Sequence, residues 1–189
     1  MSTGTSEARD RLIGRLRYLW TFELFDSFAL PALAVFVSKT LGQPLGLFAV
    51  YSAGLVTWLL WQGAAYWYLQ IRAIRAQTRL PPRYLRWFRA LKTSNWVLIG
   101  LLPVFLVLRG VTGSPFSSAV DLGAGLALYL LAVLEQVNYY YYQLMYDNPA
   151  DWQYLRRAKR LRQSKLSRAL ERLDAAEQDA GEASIPSMR

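Results

Sequence analysis

Four long apolar stretches, separated by short polar or charged segments, dominate the chain. A hydrocarbon layer about 30 Å thick is crossed by roughly 20 mostly apolar helical residues. Stretches of this character lie at about 19–37, 45–69, 96–108 and 119–142. Pro31 lies inside the first, and Pro103 lies inside the third, which is short unless it extends toward Lys92 or Val111. The pattern predicts an all-α integral membrane protein with four transmembrane helices.

The basic residues lie between these stretches rather than within them. Of the 22 Lys and Arg residues, 4 precede the first span, 7 lie in the loop 72–92 and 9 follow the fourth span, whereas the two other loops hold one each. The positive-inside rule then predicts cytoplasmic N- and C-termini and a cytoplasmic loop 72–92. We expect a protein of the bacterial cytoplasmic membrane, with 1–18 as a basic cytoplasmic N-terminus and 19–142 as the transmembrane bundle. A cleaved signal peptide is the alternative for the N-terminal region, but no small-x-small cleavage site follows its apolar run.

The two halves of the bundle resemble each other at an offset of 70 to 74 residues. Gln62 then aligns with Gln136, and the two prolines of the odd-numbered spans fall close together. Repeats of this kind are common in membrane folds. The resemblance is consistent with two repeated hairpins and also with two helix pairs that meet the same membrane constraints independently.

Polar side chains inside the apolar stretches are candidates for function, because ionisable groups are costly at membrane depth. We predict a polar layer in the cytoplasmic half of the bundle, formed by Asp26, Gln62, Glu135 and Asn138. Glu135 is the deepest, since seven residues at 1.5 Å each place it roughly 10 Å inside the cytoplasmic edge. Glu23 and Asp121 are further candidates. We expect Asp121 to cap the start of the fourth span, where a carboxylate suits a helix N-terminus.

Three interpretations of this polar layer remain open. In the first, its side chains hydrogen-bond one another and hold the helices together, with Glu135 protonated. In the second, they bind a proton, a cation or a cationic substrate. In the third, they form an interface for a membrane helix of a partner protein.

Another helix is predicted after the last span, over 143–178. Asn148 is placed to cap it, and Pro149 is placed to occupy its first position. Apolar residues recur there every three to five positions and leave a face of basic side chains: Arg156, Arg157, Lys159, Arg160, Arg162, Lys165 and Arg168. Such a cytoplasmic amphipathic helix lies on anionic lipid, docks on a partner protein or contacts RNA phosphates, and we expect lipid contact. The stretch 179–189 is predicted to be a disordered tail.

The residue types that are absent narrow the choice of function. The chain has no His and no Cys, which excludes His-ligated haem, iron–sulfur clusters, thiol chemistry and Ser-His-Asp catalysis. No phosphate-binding loop motif is present, so we expect no metal, no cofactor and no enzymatic activity. The composition fits an accessory, assembly or scaffold component for other membrane proteins best. Its expected partners are anionic lipids and either another protein or a second copy, but not nucleic acid. The alternative is a proton- or cation-coupled transporter or channel subunit that uses the polar layer around Glu135 and Asp26.

Overall fold

The described residues, 3–113, 116–145 and 149–183, form helices and no β-strand in this computed structural model. In chain order the helices are α1 (Thr3–Leu41), α2 (Leu47–Arg75), α3 (Pro82–Thr112), α4 (Ala119–Tyr140), α5 (Pro149–Ala158) and α6 (Lys165–Ala183). The prediction of an all-α fold is therefore confirmed.

The first four helices have the length and composition of membrane-crossing helices. The segments that qualify among the described residues are Ser6–Leu41, Leu47–Arg75, Pro82–Thr112 and Ala119–Tyr140. The prediction of four such helices is confirmed, and these helices are compatible with a membrane location.

Two of these helices are much longer than the apolar stretches that predicted them. α1 has 39 residues and α3 has 31, which correspond to about 58 Å and about 46 Å at 1.5 Å per residue. The hydrocarbon layer is only about 30 Å thick. Residues 1–18 include four Arg and two Leu, which are good helix formers, and α1 begins at Thr3. The segment 1–18 is thus largely part of α1 rather than a separate region.

The predicted basic loop 72–92 is likewise mostly helical, because α2 and α3 extend into it from both sides. A Schellman motif ends α2: Gln77 adopts a left-handed conformation with φ 52°, and the Thr78 N–H donates to the Ala73 carbonyl (2.9 Å). Pro82 then begins α3, since its fixed φ suits the first helical position and its missing N–H is not needed there. The connection between the two helices is therefore short.

The chain divides into two compact units. The first comprises Met1–Leu80 and Ser94–Glu135, and the second comprises Pro81–Thr93 and Gln136–Arg189. The first unit has an aliphatic core to which all four long helices contribute: Ala34, Leu55, Val56, Leu59, Leu60, Ile99, Leu128 and Ala132. Many large apolar side chains of α1 and α3 remain exposed outside this core. This unit thus combines an aliphatic core with an apolar outer surface.

The second unit buries aromatic and leucine side chains, and ion pairs at its surface connect two of its helical segments. Its buried apolar residues include Phe88, Tyr140, Leu166, Leu170 and Leu173. At its surface Arg86 Nε contacts Glu177 Oε1 (2.9 Å), while Arg89 Nη1 contacts Asp174 Oδ1 (2.7 Å) and Glu177 Oε2 (2.8 Å). These ion pairs join the first turns of α3 to α6.

The single helix predicted over 143–178 is two helices in the structure. Lys159 follows the end of α5 in a left-handed conformation with φ 48°. Ser164 then caps α6, because its Oγ accepts a hydrogen bond from the Ser167 N–H (3.0 Å). Residues 162–164 between the helices pair with 141–143 in an antiparallel bridge. These backbone hydrogen bonds and the serine cap account for the break.

The ends of this region also differ from the prediction. α5 begins at Pro149 as expected, whereas its predicted cap, Asn148, lies outside the described residues. α6 continues to Ala183, so 179–183 are helical where a disordered tail is predicted. The rest of that stretch, 184–189, lies outside the described residues.

We expect the ion pairs between α3 and α6 to weaken in acid. Hydrogen bonds from Arg89 and then Arg86 lower the pKa of the Glu177 carboxyl from its ordinary value of 4.5. A pKa lowered by folding stabilises the folded state above the unfolded-state pKa, and this contribution is lost as the pH falls through the folded-state pKa. Hydrogen–deuterium exchange of the α6 amides, corrected for its intrinsic pH dependence, should therefore accelerate once the pH falls below 4.5.

At pH 7 the variant Glu177→Gln should accelerate the same exchange, because it removes the charge that both arginines contact. Asp179→Asn is the matched control, since it changes an exposed acid on the same helix. Equal acceleration in the two variants would contradict a specific role for the ion pairs.

Candidate functional site

A buried pair of amides joins α2 to α3. Gln62 Nε2 donates to Asn95 Oδ1 (3.0 Å), and Asn95 Nδ2 donates back to Gln62 Oε1 (2.9 Å). Trp58 Nε1 also donates to Asn95 Oδ1 (3.2 Å). Gln62 is 3% exposed and Asn95 is fully buried, so the reciprocal hydrogen bonds offset the cost of removing two amides from water. Gln62 belongs to the predicted polar layer, whereas its partner Asn95 was not singled out by the sequence.

The proline of α1 releases a backbone carbonyl that α2 then binds. Pro31 has no N–H, so the Ser27 carbonyl four residues earlier loses its partner within the helix. Thr57 Oγ1 of α2 donates to this carbonyl (3.0 Å), and Trp61 Nε1 donates to the Ser27 hydroxyl (3.1 Å). The helix interruption thus becomes a contact between α1 and α2.

The proline of α3 also frees a backbone carbonyl, and a side chain of α4 donates a hydrogen bond to it. Pro103 frees the Ile99 carbonyl, and Tyr129 Oη donates to it (3.1 Å). The proline, the carbonyl and the hydroxyl each lie 72 residues after their counterparts in the first helix pair. The two hairpins therefore use the same hydrogen-bonding device at the same offset, which supports the interpretation of a repeated hairpin.

Asp121 joins the start of α2 to the start of α4. Its Oδ1 accepts the Ala49 N–H in the first turn of α2 (2.9 Å), and its Oδ2 accepts the Ser117 N–H (2.9 Å). Ser118 Oγ is the N-cap of α4, since it accepts the Asp121 N–H (3.0 Å), and Asp121 is the acidic residue in the first turn of that helix. The carboxylate of Asp121 thus serves the start of α2 as well as the segment that leads into α4. Gly46 lies directly before α2, and a Cβ at that position would overlap the Asp121 carboxylate. Only glycine allows this close approach.

Glu23 and Asp26, the acidic residues within the apolar part of α1, have different surroundings. Glu23 Oε1 accepts a hydrogen bond from Trp67 Nε1 of α2 (2.6 Å). Asp26 is half-buried, and its carboxylate has no hydrogen-bond or ion-pair partner within the part of the chain that the structure describes. Glu23 therefore contributes to the contact between α1 and α2, whereas Asp26 keeps a carboxylate on the face of an apolar helix.

The remaining members of the predicted polar layer lie on α4. Glu135 is half-buried and belongs to the first unit. Asn138 belongs to the second unit, where its Oδ1 accepts the Leu144 N–H after the end of the helix (2.9 Å). Between them Gln136 is fully buried and donates to the Lys92 carbonyl (3.0 Å). The alignment of Gln62 with Gln136 was the sequence signal for this second buried amide.

The basic residues after the last span fall into an exposed set and a half-buried set. The exposed set is Arg156, Arg157, Lys159, Arg160 and Lys165. Arg162 is half-buried, with its guanidinium 5.6 Å from the centre of the Tyr154 ring. Arg168 is also half-buried, and its Nε is an orphaned buried donor among the described residues. The break between α5 and α6 thus separates basic side chains that a continuous helix would place along one face.

The comparisons with known proteins found no match, whether against family models, curated proteins or solved structures. The function is therefore argued from the geometry of this chain. Its candidate sites are the polar contacts of the first unit and the half-buried basic residues of the second.

We expect Gln62 and Asn95 to be energetically coupled. Gln62→Leu and Asn95→Leu each remove both reciprocal hydrogen bonds, so the double variant should lose less stability than the two single variants together. The coupling should be about 0.6–2 kcal/mol, as for other hydrogen bonds between membrane helices. Unfolding of the four proteins in mixed micelles with increasing dodecyl sulfate measures this free energy. A coupling of zero within error would show that the amide pair does not stabilise the bundle.

Gly46→Ala should destabilise the first unit, because the added Cβ would displace the Asp121 carboxylate from the start of α2. Forcing an extra methyl group into a packed site costs about 1–3 kcal/mol. Gly54→Ala is the matched control within α2, since a Cβ there meets nothing within 4 Å and alanine is the better helix former. The same unfolding assay should show a loss only for Gly46→Ala. Wild-type stability in that variant would contradict the tight contact with Asp121.

Proposed function

We propose that this protein is an accessory, assembly or scaffold component for other membrane proteins. Its four long helices form the membrane part, and the basic residues after α4 contact anionic lipid or a partner on the cytoplasmic side. The membrane in question is the bacterial cytoplasmic membrane, with both termini in the cytoplasm.

The position of Asp26 is the observation that carries this proposal. A carboxylate on an apolar membrane helix is costly unless it is protonated or meets a polar group. Phe25 and Phe28 beside it are 66% and 65% exposed, so the surroundings of Asp26 on α1 include an open apolar surface. A membrane helix of a partner protein could pack on this surface and bring a polar or cationic side chain to Asp26. Such a helix would cover the exposed apolar side chains and would also hydrogen-bond or neutralise the carboxylate.

The internal polar contacts of the bundle support the same role. Thr57 and Tyr129 donate to carbonyls freed by prolines, and Gln62 pairs with Asn95. Groups used in this way hold helices together and leave few polar side chains for a path through the bundle. A bundle fixed by its own hydrogen bonds is suited to presenting a constant surface to another protein.

The distribution of charge supports the orientation and the lipid contact. Basic residues are concentrated before α1, around the connection of α2 to α3, and after α4, as the positive-inside rule requires for cytoplasmic segments. Each Lys or Arg close to an anionic membrane surface contributes about 1 kcal/mol of attraction. Five basic side chains around the break between α5 and α6 are exposed at the surface, where such a contact would form.

The alternative function is a proton- or cation-coupled transporter or channel subunit. The same unpartnered carboxylate of Asp26 favours it, because intramembrane acids also mark proton and ion pathways. Glu135, half-buried on α4, is the second acid that such a pathway would use. The two functions differ in what neutralises Asp26, namely a partner's side chain or a proton or cation.

Asp26→Leu should release a stoichiometric membrane partner that the wild type retains. The experiment is extraction of the tagged protein, expressed at its natural level, in a mild detergent, followed by quantitative mass spectrometry. We expect the retained partner to fall by about tenfold, which corresponds to about 1.4 kcal/mol of interaction. Asp26→Asn should keep part of the partner, because an amide still forms hydrogen bonds.

Phe25→Leu is the matched control, since it changes an exposed neighbour but leaves an apolar side chain. Equal loss of the partner in Phe25→Leu and Asp26→Leu would assign the contact to apolar packing alone. A wild-type protein that purifies only with copies of itself, and is stabilised by acid or by a cation in a way that Asp26→Asn removes, would replace this proposal with the transporter alternative.

A further inference from the structure

A basic cavity of about 950 Å³ lies within the second unit, beside the break between α5 and α6. Its volume is in the range of small-molecule binding sites, roughly 300–1,000 Å³. Among the described residues, the charged side chains of its wall are those of Lys92, Arg160, Arg162, Arg168 and Glu171. Four of these five described side chains are basic.

Two of these basic side chains lie against aromatic rings. Lys92 Nζ lies 4.4 Å from the centre of the Tyr141 ring, and the Arg162 guanidinium lies 5.6 Å from the centre of the Tyr154 ring. Cation–π contacts of this kind are attractive but leave the positive charge in place. The carboxylate of Glu171, which is the acidic group among the described residues of the wall, accepts a hydrogen bond from Gln163 Nε2. The positive charge of the cavity is therefore a built feature.

Two further features place hydrogen-bond donors at this cavity. Arg168 lines it and has a buried Nε with no hydrogen-bond partner among the described residues. Ser167 lines it as well and belongs to the first turn of α6, so the cavity lies at the positive end of a 19-residue helix. A buried arginine donor and a helix N-terminus both favour a negatively charged ligand.

We propose that this cavity binds a phosphate group. Basic side chains outnumber acidic ones among the described residues of the wall, which favours an anionic ligand, and the planar fork of arginine matches the oxygens of a phosphate through two parallel hydrogen bonds. The phosphate belongs either to a phosphomonoester headgroup of a membrane lipid or to a free phosphate ion. If the phosphate belongs to a lipid headgroup, the proposal rests on the lipid contact proposed above. It then assigns that contact to one site and not to a diffuse charged surface.

The full-length protein in detergent tests this proposal by thermal unfolding. Inorganic phosphate is the probe, titrated against chloride at matched ionic strength. Phosphate should raise the Tm of the wild type, and Arg168→Gln should need about tenfold more phosphate for the same shift, as expected for loss of one charged hydrogen bond. Arg172→Gln is the matched control, because Arg172 is exposed one turn later on α6 and does not line the cavity.

Arg160→Gln is a second test variant, which keeps the proposal testable if Arg168→Gln does not fold. Arg160 is exposed, so its replacement leaves the core intact. It should weaken phosphate binding in the same direction.

A lipid arm distinguishes the two sources of the phosphate. In nanodiscs, phosphatidic acid should stabilise the wild type more than phosphatidylglycerol does at equal surface charge, and Arg168→Gln should abolish that difference. If the site takes a lipid headgroup only, this difference appears while inorganic phosphate has no effect in detergent. Equal responses of Arg168→Gln and Arg172→Gln, or no stabilisation by either probe, would overturn the proposal. Asp26→Leu should respond to phosphate like the wild type, so a failure of the partner experiment and a failure of this one are separate results.

Discussion

A helix that crosses hydrocarbon must satisfy its polar groups from within the protein, because no water is available there. The helices of the first unit meet most of this requirement through their own backbone hydrogen bonds, and side chains of α2 and α4 add hydrogen bonds to carbonyls of the neighbouring helices. Thr57, Tyr51 and Tyr129 donate to backbone carbonyls of α1 and α3, and Gln62 pairs with Asn95. Apolar residues are available on every face of these helices, so they do not by themselves choose a packing arrangement. The hydrogen bonds have specific partners, and they therefore determine which faces meet.

The prolines show how closely sequence and packing are linked in this bundle. A proline inside a helix costs about 3 kcal/mol or more, partly because a carbonyl loses its donor. The cost is reduced only if a hydroxyl on the neighbouring helix lies at the right height. The hydroxyl therefore reduces the energetic cost of the proline only when both residues are present. Their joint recurrence at an offset of 72 residues is better explained by a repeated hairpin than by two independent origins, although the second hairpin uses tyrosine where the first uses threonine.

The sequence predicted the number of long apolar helices because length and hydropathy are local properties. It did not predict their ends, since the charged flanks are themselves good helix formers. The contact of Asp121 with α2 was not predicted, because Ala49 is 72 residues away in sequence and only the tertiary structure brings its N–H to 2.9 Å from the carboxylate. Asn95 was missed because it lies at the edge of a short apolar stretch, where a polar residue is unremarkable in sequence. The break before α6 was visible only as the five-residue step from Leu161 to Leu166, and its cause is pairing with residues about 20 positions earlier.

The break before α6 also decides how charge is distributed in the second unit. A continuous amphipathic helix would spread its basic residues along one face, a distribution suited to a flat anionic surface. In the structure the chain turns back, and Arg162 and Arg168 line one cavity together with Lys92 from α3. The acids further along α6, Asp174 and Glu177, contact the arginines of α3 instead, so they offset positive charge on α3 and do not line the cavity. The positive charge is thereby concentrated at the first turn of α6, where the helix dipole adds to it. A chain whose role was limited to lying on lipid would gain nothing from this separation, whereas a site for a discrete anion depends on it.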